Sequence, residues 1–181
     1  MIETLKQCVW KNFAACIDML HNAIVMWPDD IWHTNKKFFY NAYHCIVFLD
    51  YYLTVPPHNF IAALTYTITD INKIPEDAID DVVPDRIFTK NEMLDYLQSA
   101  REKCRQLIAG LTEEKLTQPW INQSEDINLE LASRDSLNYS VLEILFYNMR
   151  HVQHHAAQLN LLLRQTIKNA PDYVSMATDD L

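Results

Sequence analysis

The chain has 181 residues, of which 49% are hydrophobic and 22% charged, and its formal net charge is −9. That length suits one domain able to bury a substantial core. A single glycine, Gly110, excludes the Gly-rich phosphate loops of P-loop and dinucleotide-binding proteins, and the acidic balance, with Lys and Arg scattered, argues against nucleic acid as a partner.

The first predicted helix covers 2–24, where Leu5, Val9, Phe13, Cys16, Ile17, Leu20 and Ile24 recur at helical spacing. Pro28 in "WPDD" ends it. A second helix is expected over 33–54, apolar on most sides and therefore central, and it stops before Pro56-Pro57. The long connection 55–88 is broken by four prolines, with a short helix expected near 58–70. "TKNE" at 89–92 is a capping box that opens a third helix, on which Met93, Tyr96, Leu97, Cys104, Leu107 and Ile108 form the apolar set. Gly110 stands where a C-terminal cap belongs. "LTEEKL" adds a turn, and "TQPWINQSEDINLELASRD" reads as an irregular link with extended character. "SVLE" at 140–143 repeats the capping box and starts a helix running to about Lys168.

These elements predict an all-α protein: a four-helix bundle in up-down-down-up order, with a long crossover link between helices 2 and 3. The bundle domain covers 1–170, and 171–181 forms a C-terminal tail, either a loose end or an arm for a partner. Cys8, Cys16, Cys45 and Cys104 form no C-x-x-C pair and sit within apolar helical patterns, so they read as buried free thiols. "MIETLKQCVW" lacks a basic region followed by an apolar core, and no apolar run approaches the ~18 residues of a membrane span. A soluble, cytoplasmic protein is expected.

The chemistry concentrates in "NMRHVQHHAAQLNLLLR", residues 148–164. Residues four apart on a helix share a face, so His151 and His155 can reach one metal ion. Their stripe runs through Ile144, Leu159 and Leu162 and points inward, where imidazoles need partners. Two ligands from one helix call for a third. Of the other histidines, His21, His33 and His58 lie at helix ends or in the link, whereas His44 sits mid-way along the second helix and meets the pair by position. His154 reads as a rim group, and Gln158 and Asn148 are candidates to orient a ligand histidine by hydrogen bonding. No glutamate has a histidine three residues on, so a di-iron carboxylate site cannot be written. Three histidines suit a single divalent ion, zinc first, and leave one coordination position open.

A histidine in the middle of the second helix, followed by H-x-x-H-H-x-x-Q in the last, resembles the DinB/YfiT-like superfamily of metal-dependent enzymes. His44, His151, His155 and Gln158 are the matching residues, and the helix order and long second link also fit. The chain departs at Ala156-Ala157, where many relatives have Arg-Gly. The resemblance implies zinc or nickel on the three histidines, water completing the shell, activation of a low-molecular-weight thiol or other small-molecule substrate, and a homodimer. Two functions remain open. One is a metal-dependent hydrolase or thiol S-transferase. The other is a non-catalytic dimeric bundle whose histidines hold metal structurally or not at all. Asp50 and Glu143 are the candidate bases, and Glu143 is already explained as a cap.

Overall fold

The computed structural model describes residues 1–121, 131, 132 and 134–181. They fold into mostly helical structure: α1 (Ile2–Met26), α2 (Lys36–Tyr52), α3 (Lys90–Ala109), the single-turn α4 (Glu113–Thr117) and α5 (Val141–Ile167). Helices α1 and α2 each pack against both α3 and α5, so the four long helices close a ring around one core. α1 turns Trp10, Phe13, Ile17, Leu20 and Ile24 into it. Each such side chain contributes roughly 1.5–3 kcal/mol on burial. α2 is the central element, as its composition predicts, with every residue from Phe38 to Tyr52 except Tyr40 buried.

Both capping boxes form. Thr89 and Ser140 accept the backbone N–H of Glu92 and Glu143, and each glutamate reaches back to its cap residue. Gly110 is the C-terminal cap of α3, but at φ −81° rather than in the left-handed region. What it provides is clearance, since a Cβ there would lie 3.3 Å from the Gln106 carbonyl oxygen.

The helix expected over 58–70 does not form. Pro57–Asn59 is a single 3₁₀ turn, and Tyr66–Ile68 is a strand, β1, paired antiparallel with β2 (Val82–Pro84) in the register Tyr66↔Pro84, Ile68↔Val82. The run Thr65-Tyr66-Thr67-Ile68-Thr69 alternates and is rich in β-branched residues, which favours a strand edge over a helix. The Tyr43 hydroxyl pins the hairpin to α2 by donating to the Leu64 and Thr65 carbonyls at 2.7 and 3.1 Å. In the link after α4, Pro119 pairs with Ser140 in an antiparallel bridge, and the extended character expected over 122–130 lies outside the described residues.

Residues 171–181 lie along their own chain. Ala177 donates to the Lys11 carbonyl, Trp10 and Lys11 donate to the Asp179 carbonyl, and Arg101 forks onto Asp179 while also holding Asp18. Among the described residues, no helix is long and apolar enough to cross a membrane.

Candidate metal centre

The α2–α5 seam brings His44, His151 and His155 together, with one ring nitrogen from each lying within 4.8 Å of the others. Their ring centroids are 4.5–5.2 Å apart. The Nε2 atoms of His44 and His151 face each other at 3.1 Å. Two unprotonated nitrogens at that distance repel, so a shared proton or a cation has to lie between them. Two imidazoles bound at ~2.0–2.1 Å to one tetrahedral ion have nitrogens about 3.3–3.4 Å apart, close to what is seen here. The residues therefore fit a divalent ion.

The outer ring edges support this orientation. His155 Nδ1 lies 3.2 Å from Asn41 Oδ1, which accepts its proton and leaves Nε2 free to ligate. Asn41 then donates to Gln158 Oε1 at 2.9 Å, and Gln158 donates to His154 Nε2 at 3.0 Å. A chain of amides thus links a buried imidazole to the exposed His154. His44 Nδ1 lies 3.0 Å from Asp80 Oδ2, and Asp80 Oδ1 accepts the Val82 N–H, which fixes the carboxylate. The Asp80 contact is short but out of line for a good hydrogen bond, and His151 Nδ1 is buried with no hydrogen-bond partner. Burial, with the neighbouring rings adding to it, pushes His151 down to about 2 and His155 down to about 3. Both are therefore neutral lone-pair donors at physiological pH, the form a metal needs.

A cavity of about 490 Å³ opens onto the histidines. Its lining includes Phe48, Tyr52 and Tyr147, with Asp80 and Asp81 from the link. His154 and Gln158 stand at its edge.

Of the residues picked from sequence to orient a ligand, Gln158 joins the amide chain, and His154 ends it at the rim. Asn148 is turned elsewhere: it donates to the Leu49 carbonyl of α2 at 2.9 Å. Neither candidate base belongs to the cluster. Glu143 is an exposed cap, and Asp50 faces α3, where Tyr96 and Lys103 hold it. Cys16, Cys45 and Cys104 are buried free thiols as expected, but Cys8 is exposed. Sequence reasoning missed Asn41 and Asp80. Asn41 lies three residues before His44 on a helix that reads as core throughout. Asp80 lies in a link without periodicity, where no sequence signal marks it.

A family model described as the DinB superfamily matches residues 12–159, a span that holds all three histidines, the hairpin and Asp80. No curated protein and no solved structure matches the chain.

Proposed function

The chain belongs to the DinB superfamily, and we propose that it is a metal-dependent enzyme, a hydrolase or a low-molecular-weight-thiol S-transferase, with one divalent ion held by His44, His151 and His155. The observation that carries this reading is the pair of Nε2 atoms facing at 3.1 Å, inside a cavity that reaches them. Zinc or nickel suits a set of three imidazoles without a carboxylate. A bound ion there supplies a Lewis acid that brings water or a thiol to its nucleophilic anion near neutral pH.

The chain's own residues do the rest. Asn41 holds the outer edge of His155 by a hydrogen bond, and the Asp80 carboxylate lies beside the outer edge of His44. Asp80 sits on the Nδ1 edge of His44, away from the convergence point, and so is not placed to take a proton from a nucleophile there. His154 stands exposed at the mouth of the cavity. The reading includes an up-down-down-up bundle and a cytoplasmic homodimer acting on a small molecule, with neither nucleic acid nor membrane as partner.

The test is metal content by mass spectrometry of protein purified without a histidine tag, wild type beside His155→Ala. Near-stoichiometric zinc or nickel in the wild type and its loss in the variant is the expected result. A wild type that stays metal-free after supplementation overturns the reading and leaves a non-catalytic bundle.

A further inference from the structure

We propose that the cavity over the three histidines selects a positively charged substrate, a small amine-bearing molecule, and that Asp81, with Asp80 behind it, sets this choice. The inference rests on the metal reading above and adds the substrate's charge class. Among the described residues, the lining comprises Asp80 and Asp81 but no lysine or arginine. Among those described residues, an anionic substrate group meets two carboxylates and no lysine or arginine. Asp80 is committed to His44 and the Val82 N–H. The Asp81 side chain has no hydrogen bond or ion pair among the described residues; only its backbone carbonyl is used, by the N–H groups of Thr69 and Val83. A half-buried carboxylate left unpaired beside a cavity attracts a cation.

The aromatic part of the lining agrees. Tyr52 and Tyr147 pack edge to face at 5.1 Å, and Phe48 lies 5.7 Å from Tyr52. The faces of such rings accept an ammonium group. The nearest arginine on α5, Arg150, serves a separate cleft on the α1 side with Asn12, Cys16 and Gln153. Arg150 is thus turned to the other cleft, and the charged side chains of the described histidine cavity are Asp80 and Asp81.

Three thiols with the same two-carbon spacing separate charge from ligation: cysteamine (cationic), 2-mercaptoethanol (neutral) and 3-mercaptopropionate (anionic). Each is titrated into cobalt(II)-loaded protein, and the thiolate-to-cobalt charge-transfer band gives its affinity. Intrinsic thiol basicity differs along the series, so the deciding quantity is the cysteamine-to-mercaptopropionate affinity ratio in wild type against Asp81→Asn, with 2-mercaptoethanol as the internal reference for the metal. The ratio is expected to fall on the order of tenfold in the variant, the size of one charge–charge interaction across several ångströms at a solvent-facing site. An unchanged ratio, or cobalt-loaded protein that binds none of the thiols, overturns this inference alone. Failure of the wild type to load cobalt overturns the metal reading and this inference together.

Discussion

Helix α2 carries two buried polar clusters, one toward α3 and one toward α5, and they are built on opposite principles. Toward α3, Asp50 accepts from the Tyr96 hydroxyl at 2.8 Å and from Lys103, and Lys103 also donates to Thr54 Oγ1 at 2.7 Å. Both carboxylate oxygens have a donor, and the cluster has no use for anything from outside. Toward α5, His44 and His151 point nitrogens at each other, and His151 Nδ1 has no partner. A buried polar group left unmatched is costly, and folds keep such groups where something else completes them. Saturation marks the structural cluster, and its absence marks the functional one.

The strongest way to break this comparison is to remove Asp50. Asp50→Ala strands Lys103 and the Tyr96 hydroxyl, and is expected to lower unfolding free energy by roughly 3 kcal/mol. Metal stoichiometry should be untouched. Urea unfolding and metal analysis on the same preparation check both halves, and loss of metal with the fold intact would mean that the two clusters are not independent.

Acid should act on the histidine cluster first. His151 and His155 have folded values of about 2 and about 3, against about 6.5 when unfolded. The unfolded chain therefore binds more protons below pH 6.5, and stability falls as pH drops through that window. For metal-free protein, the two together should lose about 2 kcal/mol between pH 7 and 5.5. The carboxylates held low by partners, such as Glu92 at about 2 and Asp179, add their losses only at more acid pH. Unfolding curves at the two pH values check this, and His155→Gln should flatten the slope.

Removing Asn41 separates holding a ligand from holding the fold. Asn41→Ala frees His155 Nδ1, and metal affinity is expected to drop about 10- to 100-fold. A competition titration against a chromophoric chelator reads it, and equal affinity in wild type and variant would strip Asn41 of its role.

Much of this was legible in the sequence because helical periodicity repeats. The caps at Thr89 and Ser140, the stripe on α1 and the i, i+4 pair of His151 and His155 are all local patterns. His44 could be placed because a mid-helix residue meets mid-helix residues in a bundle. Asp80 depends on where the hairpin carries the link, a long-range outcome with no local mark. The hairpin itself was hidden because five alternating residues can be read as a helix when prolines already fragment the segment. Asn148 shows the limit of spacing arguments: it lies three residues before His151, yet its amide turns to the Leu49 carbonyl on α2.

The amide chain permits a finer test of the same contrast. Gln158 touches Asn41, His154 and the His155 ring, whereas the Asn41 oxygen is the atom that accepts from His155 Nδ1. If Asn41 is fixed mainly by burial, since it is only 4% exposed, then Gln158→Ala leaves the Asn41–His155 contact in place. The expected loss of metal affinity is then only two- to threefold, about 0.5 kcal/mol, within the net value of one hydrogen bond. A loss as large as that of Asn41→Ala, in the same chelator competition, would show that the amides act as one cooperative unit. The orientation of His155 would then be set from the rim at His154 and not from the core.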